Sequence, residues 1–440
     1  MDPVNVPVAG STGGVTAARG QAVALEAVRA STARYTVLGI TFVIAFIMYI
    51  DRAVIGTAAP VIMKEFGLSK IAMGWSASAF NWTYALLQVP GGWLADRYGP
   101  RLVLAGAMVW WSVFTAATGF ARGAMSLAVT RGLFGAGESA AFPSSSRALV
   151  PWLPKNRRAF GQGFQHSGAR FGAAVAPALV VVMMARFDWR TAFYILGVVG
   201  VVWAGVWYWY YRDSPLDHSG VNAAEQKLLA DVTKVEKKRS VPWRLILRSP
   251  DLWYLSILYF CYGWVLWMYL TWLPTYLIEA RGFTQLKVGI FTSLPLLAAT
   301  VTNALGGWLS DKLTELWGVR RGRMTVSMGG FMIAAAGLIP GVLANDPYTA
   351  MMWLVIALAG LEMTVAVSWA ICIDIGESCS GSVSGVMNTI GNLGGATSAV
   401  AVAYLATYYG WTATFIVASG FCVLAALLAT RINPTRSAVV

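Results

Sequence analysis

The sequence predicts an all-α polytopic membrane protein, with twelve transmembrane helices in two six-helix bundles and both termini cytoplasmic. Three observations predict it. Only 12% of the 440 residues are charged and 57% are hydrophobic, whereas soluble domains carry about 25% charged residues. Twelve apolar runs reach the roughly 20 residues a helix needs to cross a bilayer. The last six runs repeat features of the first six. Twenty Trp and 45 Gly fit such a protein, since Trp favours membrane interfaces and Gly favours close helix packing.

The predicted spans have cores at 35–60, 72–94, 102–121, 126–149, 159–183, 191–211, 252–277, 287–309, 324–343, 349–372, 383–406 and 411–430. Residues 1–31 lack the compact apolar core of a signal peptide and read as a disordered cytoplasmic tail. A first bundle then covers 32–211 and a second covers 250–432, with a short cytoplasmic tail at 433–440. Between the bundles, 212–249 is the long charged stretch, including Lys234–Arg239, and reads as a cytoplasmic linker with one surface helix. With the N-terminus inside, 23 lysines and arginines fall on the cytoplasmic side and seven on the other, which sets the orientation. The net charge of +13 belongs to those loops and their contact with anionic lipid, so no nucleic-acid partner is implied. Cys261, Cys372, Cys379 and Cys422 show no metal-type spacing and read as packing residues. No metal or other cofactor is expected.

The repeat is explicit. Gly91–Arg101 (GGWLADRYGPR) follows span two, and Gly306–Lys312 (GGWLSDK) follows span eight. Asp188–Trp203 (DWRTAFYILGVVGVVW) opens span six, and Gly410–Phe421 (GWTATFIVASGF) opens span twelve. A shift of six spans preserves sidedness, so the halves are parallel repeats about an axis along the membrane normal. Such a pair places a site between the halves near the midplane.

The first of these motifs resembles the loop signature G-x-x-x-D-R-x-G-x-R/K of the major facilitator superfamily, at Gly92, Asp96, Arg97, Gly99 and Arg101. Its degraded copy keeps Gly307, Asp311 and Lys312. The resemblance covers the chain after residue 34. It implies the major facilitator fold, with a gating acid at the end of span two that touches the other bundle in the outward-open state. The residues fit that use, because glycines before Asp96 permit close helix approach and arginines follow it at a cytoplasmic turn. Four further segments are similar to the anion:cation symporter group: Tyr49–Arg52, Arg131–Glu138, Thr271–Leu277 and Gly385–Gly394. That group includes bacterial galactonate, glucarate and hexuronate transporters. Asp374–Glu377 departs from the group's usual end of span ten, which weakens transfer of second-half residues.

Chemistry concentrates in four charges inside apolar runs: Asp51 and Arg52 in span one, Arg131 and Glu138 in span four. Charges at membrane depth are costly, and they mark substrate paths or proton relays. Arg131 and Glu138, seven apart, share one helix face about 10 Å apart in depth. Asp51 points about 100° away from Arg52 on the same helix and so serves a different neighbour. Arginine offers a planar fork for a carboxylate. Arg52 and Arg131 are therefore candidate anion ligands, and Asp51 and Glu138 candidate carriers of coupling protons. The resemblance implies the same assignment. The competing reading is a set of static ion pairs fixing helix packing.

Other candidates for the substrate wall are Tyr49, Tyr84 and Gln88 in the first half, and Ser368, Trp369, Asn388 and Asn392 in the second. Tyr269 and Trp272, beside Pro274, are candidates for a gate. Arg170 in span five is a third intramembrane arginine, with His166 one turn before it as a candidate proton relay. Arg170 could bind a second carboxylate, favouring a diacid, or pair with Glu362 in span ten.

The predicted function is secondary active transport: proton-coupled import of an organic anion such as a sugar acid by a monomer in the bacterial inner membrane, with the lipid bilayer its other partner. Sodium coupling, exchange or efflux in the same fold is the alternative. No Ser/His/Asp set, metal cluster or phosphate loop supports an enzyme. A transporter-like sensor would be expected to carry a signalling domain.

Overall fold

A computed structural model describes residues 29–233 and 241–439. The expected tail up to residue 28 and the charged run Lys234–Arg239 lie outside those residues. The regular structure that is described is helical throughout. In chain order it comprises α1 (Ala33–Phe66), α2 (Lys70–Tyr98), α3 (Pro100–Thr118), α4 (Ala124–Glu138), α5 (Ala141–Leu149), α6 (Arg158–Arg186) and α7 (Trp189–Tyr210). After these come α8 (Ala223–Thr233), α9 (Trp243–Ile246), α10 (Pro250–Glu279), α11 (Gln285–Trp317), α12 (Val319–Leu343), α13 (Pro347–Gly376) and α14 (Ser380–Arg431).

Seven of the helical stretches are long and apolar enough to cross a membrane by themselves. Helix α4 is outside that set because it stops at Glu138. Helices α2 and α11 are outside it too, and they bury polar residues such as Gln88, Asp96, Asn303 and Asp311.

Helix ends follow local chemistry. Ser69, Asp188 and Asp346 cap helix starts by accepting from the backbone N–H of Ala72, Thr191 and Thr349. Gly99 (φ 87°, ψ 143°) and Gly318 (φ 82°, ψ 162°) form the tight turns after α2 and α11. These equivalent turns of the repeat use backbone that is essentially restricted to glycine.

One expectation needs correction. The run 126–149 is not one helix: α4 and α5 meet at Ser139–Ala140. Pro143 has no N–H to give to the Ser139 carbonyl four residues back, and its ring crowds that carbonyl. The runs 383–406 and 411–430 are two helices, as expected, that meet at the non-helical turn of Gly410 (φ 80°, ψ 170°) within the range given as α14. The expected linker helix is present as α8, and it docks on the start of α1. Buried Glu225 accepts from the Ser31 hydroxyl (2.5 Å) and from Arg34 Nη1 (2.8 Å).

Within the first half α1 packs on α6, α3 on α7 and α2 on α4. Within the second, α10 packs on α14, and α12 and α11 on α13. The halves meet along α2–α14, α6–α11 and α6–α13. All four cysteines are buried.

Candidate substrate site and its closed end

Between the halves lies a cavity of about 510 Å³. On α1 its wall runs from Tyr49 to Gly56, and on α10 from Tyr259 to Leu270. The cavity therefore extends from mid-depth away from the arginine-rich end. Of the residues the sequence singled out, Tyr49, Arg52, Tyr84, Arg131, His166, Arg170, Trp369, Asn388 and Asn392 line it. Asn81, Phe142 and Tyr259 also line it and were not singled out, and so do Tyr262 and Trp267, which as aromatics of span seven read from sequence as packing and interface anchors. Tyr259, Tyr262 and Leu266 stand at i, i+3 and i+7, so one helical face was the signal available for them.

The four charges inside the apolar runs of spans one and four form one cluster. Arg52 donates from Nε to Glu138 Oε2 at 2.8 Å, and its guanidinium lies 4.4 Å from the Tyr84 ring centre and 4.8 Å from that of Tyr49. Glu138 is fully buried and its Oε1 has no partner. Arg131 is 2% exposed, stacked over Phe134 at 4.3 Å, with Nε and Nη1 unpartnered. Asp51 is fully buried behind this wall, with neither oxygen hydrogen-bonded. Its charged neighbours are Glu138 and Arg131. Arg52 thus reaches α4 through Glu138, while Asp51 has Trp111 of α3 beside it as well as the two charges of α4. The glycines of α4 let it approach α2 and α3 closely. A Cβ at Gly135 would meet the Phe80 carbonyl and the Thr83 hydroxyl at 2.5 Å, and one at Gly137 would strike the Trp110 ring.

Across the cavity, Arg170 pairs with Glu362 at 2.9 Å, one of the two outcomes the sequence left open. Its Nη1 donates to the Tyr49 hydroxyl (3.1 Å) and its Nη2 to the Tyr262 hydroxyl (2.6 Å). Glu362 also accepts from Tyr262 Oη (3.0 Å) and Asn303 Nδ2 (2.7 Å). His166 stacks on Phe142, 4.5 Å between ring centres and 8° between planes, and its Nε2 is unpartnered. Trp369 donates to Tyr259 Oη at 2.8 Å, and Asn392 Nδ2 donates to the Asn388 carbonyl at 2.7 Å.

Four predicted wall or gate residues sit elsewhere. Ser368 donates to the Thr364 carbonyl at 2.9 Å within its own helix. Gln88 is buried against Gly385 at the contact between halves. Tyr269 donates to the Leu354 carbonyl at 2.9 Å. With Trp272 it lines a separate small crevice against Trp411 and Phe415. Proximity to Pro274 does not determine which face of α10 meets the cavity; that face is the Tyr259–Tyr262–Leu266 one.

The arginine-rich end is closed by two equivalent latches. Asp96 accepts from the backbone N–H of Gly381 (3.0 Å) and Ser382 (2.6 Å) at the start of α14, with Arg147 at 3.5 Å. Asp311 accepts from the backbone N–H of Ala159 (3.2 Å) and Phe160 (2.7 Å) at the start of α6, with Arg323 at 2.7 Å. Each acid thus caps a helix of the opposite half, where the helix dipole favours negative charge. Arg158 and Arg323 both hold Asp374, at 2.9 and 3.2 Å. A Cβ at Gly92 would strike the Gly381 carbonyl, and one at Gly307 the Ala159 carbonyl. Of the remaining motif residues, Gly99 makes the turn, Arg101 donates to the Tyr208 carbonyl at 3.0 Å, and exposed Arg97 lies over Trp93 at 5.2 Å. Arg97 and Arg101 have their partners within the first half. Arg158, Arg323 and Asp374 were not predicted as latch residues. Asp374 stood out only as the start of a segment departing from the symporter pattern.

Comparisons with known proteins agree with this architecture. The family described as the Major Facilitator Superfamily matches residues 41–399. The chain is 38% identical over 406 residues to a probable sulfoacetate transporter, SauU, of Cupriavidus necator, covering 91% of this chain and 94% of that one. It is 33% identical over 423 residues to a D-galactonate transporter of Escherichia coli, covering 92% and 96%. The solved structure of the proton:xylose symporter XylE, bound to 6-bromo-6-deoxy-D-glucose, superposes with a TM-score of 0.74 at 14% identity, covering 90% and 94%; at that identity it speaks for the fold alone. The chain is a multi-pass membrane protein that belongs to the major facilitator superfamily and, within it, to the anion:cation symporter group of transporters.

Proposed function

We propose that this protein imports an organic anion together with protons across a bacterial inner membrane. It would do so by alternating access of two six-helix bundles, with twelve spans and both termini cytoplasmic. In that orientation the latched end faces the cytoplasm and the described state is outward-facing. The observation that carries the reading is the Arg52–Glu138 pair at 2.8 Å in the cavity wall. Arg52 cannot give the same Nε–H to Glu138 and to an incoming anion. A proton on Glu138 removes the charge that holds Arg52, and the freed fork can then bind a carboxylate or sulfonate. Proton and anion enter as a set, which is the requirement for symport. Asp51, buried behind the pair, and Arg131, in the cavity wall, supply a second acid and a second cation to the same exchange. The named substrates of the two relatives above, sulfoacetate and D-galactonate, are both small organic anions with a carboxylate.

Uptake of radiolabelled sulfoacetate and D-galactonate into proteoliposomes tests this. Accumulation should follow an inward pH gradient, vanish with a proton ionophore and ignore replacement of sodium by potassium. Uptake that follows sodium and ignores pH overturns the coupling ion. An absence of uptake and counterflow for both anions overturns the substrate class.

A further inference from the structure

The cavity holds cationic groups in two places, and only one of them is used by the symport cycle above. Arg52 and Arg131 form the first. Arg170 forms the second, and its surroundings have the form of a binding site rather than a simple brace. Glu362 engages its Nε edge, at 2.9 Å. Its two terminal nitrogens rest on phenol oxygens, those of Tyr49 and Tyr262. A neutral phenol is a weaker acceptor for a guanidinium than an anionic oxygen is. Tyr262 already donates its hydroxyl hydrogen to Glu362. Tyr49 accepts from Arg170, so its own hydroxyl hydrogen remains to be given, and Tyr49 lines the cavity.

We infer that Arg170 Nη1 and the Tyr49 hydroxyl are a second anion subsite, and that the transported anion is a compact dianion bridging Arg52 and Arg170. This rests on the proposal that the cavity carries an organic anion. Glu362 is the positioning residue: it holds and orients Arg170 from the other half, and Tyr262 and Asn303 satisfy it from α10 and α11. The subsite is therefore built across both bundles. Distance sets the size of the ligand. The Tyr49 ring is near both cations, its centre 4.8 Å from the Arg52 guanidinium carbon and 5.7 Å from that of Arg170. The two carbons are no farther apart than those distances together. A dianion whose acid groups are one or two carbons apart meets both, whereas a monoanion leaves one end on phenols.

The test uses the purified full-length protein and four simple acids: malonate against propionate, and succinate against butyrate. Each pair matches in carbon number and differs by one acidic group. Wild type should bind the dianions at least about tenfold more tightly, as one charge-assisted pair implies. The double variant R170Q/E362Q removes both charges at near-constant shape. It should bind the monoanions within about threefold of wild type and lose the dianion preference. Glu362→Gln alone leaves Arg170 uncompensated and should tighten the dianions only. Should the double variant fail to fold, this single variant decides, because a merely structural pair would weaken all four acids equally. Equal affinity within each pair in wild type, or a preference retained in R170Q/E362Q, overturns the dianion inference. Failure of all four acids to bind also overturns it. The organic-anion reading falls separately, only when the proteoliposome uptake fails.

Discussion

Arg52 and Glu138 meet across α1 and α4 at 2.8 Å, Nε to Oε2, and the second oxygen of Glu138 has no partner. A carboxylate that is half engaged and sealed from water can take a proton without first losing its arginine. Glu138→Gln keeps the shape and the acceptor facing Arg52 but cannot cycle a proton. Concentrative uptake in proteoliposomes should fall at least about tenfold, while counterflow of unlabelled against labelled substrate persists. Unchanged concentrative uptake in Glu138→Gln would remove the residue from coupling.

Asp96 and Asp311 each cap a helix of the opposite half, and losing such a cap costs about 0.5–2 kcal/mol. That is enough to move a two-state equilibrium by about two- to thirtyfold. Asp96→Ala and Asp311→Ala should each populate a state open at the arginine-rich end, and the pair together should do so further. Spin labels at the exposed positions Arg97 and Lys312 would read this as a longer distance population. An unaltered distribution in the double variant counts against the latches.

Glycine contacts give a steric form of the same experiment. A side chain at Gly92 meets the Gly381 carbonyl, which is backbone and cannot rotate away. Gly92→Val should prevent closure and reduce transport at least about tenfold while the protein stays folded. Gly39→Val, at a position with open space around it, serves as the control and should transport within about twofold of wild type. Equal activity of the two variants would show that the α2–α14 contact does not limit the cycle.

The crevice holding Tyr269 and Trp272 is separate from the cavity. Trp272→Phe and Tyr269→Phe should therefore leave substrate affinity within about twofold of wild type. Tyr259→Phe, which loses the acceptor of Trp369 Nε1–H (2.8 Å) inside the cavity wall, should weaken it by about three- to tenfold. The reverse order of effects would restore Tyr269 and Trp272 to the site.

What the sequence made legible was set by composition and by period. Apolar run length placed the helices, and the echo of Gly91–Arg101 in Gly306–Lys312 announced two equivalent turns. Charges at membrane depth marked the cavity wall. What stayed hidden depends on which neighbour a helix face meets. Tyr269 and Tyr262 sit seven apart on one helix, yet the first bonds to the Leu354 carbonyl and the second to Arg170 and Glu362. Tilt and crossing of α10 decide that, and neither leaves a mark in residue type. Arg158, Arg323 and Asp374 looked like ordinary positive-inside charges and a divergent helix end until the contact between α6, α12 and α13 joined them.

The donors that Asp96 and Asp311 find in the opposite half are peptide N–H groups, not side chains. Every residue except proline supplies such a group. Mutational drift at Gly381, Ser382, Ala159 or Phe160 can therefore alter the bulk at the seam without deleting a donor. Each backbone latch asks for one acid per half, so sequence around the two carboxylates can diverge, while the Arg158–Asp374 pair is the bond across the same seam that does depend on two side chains.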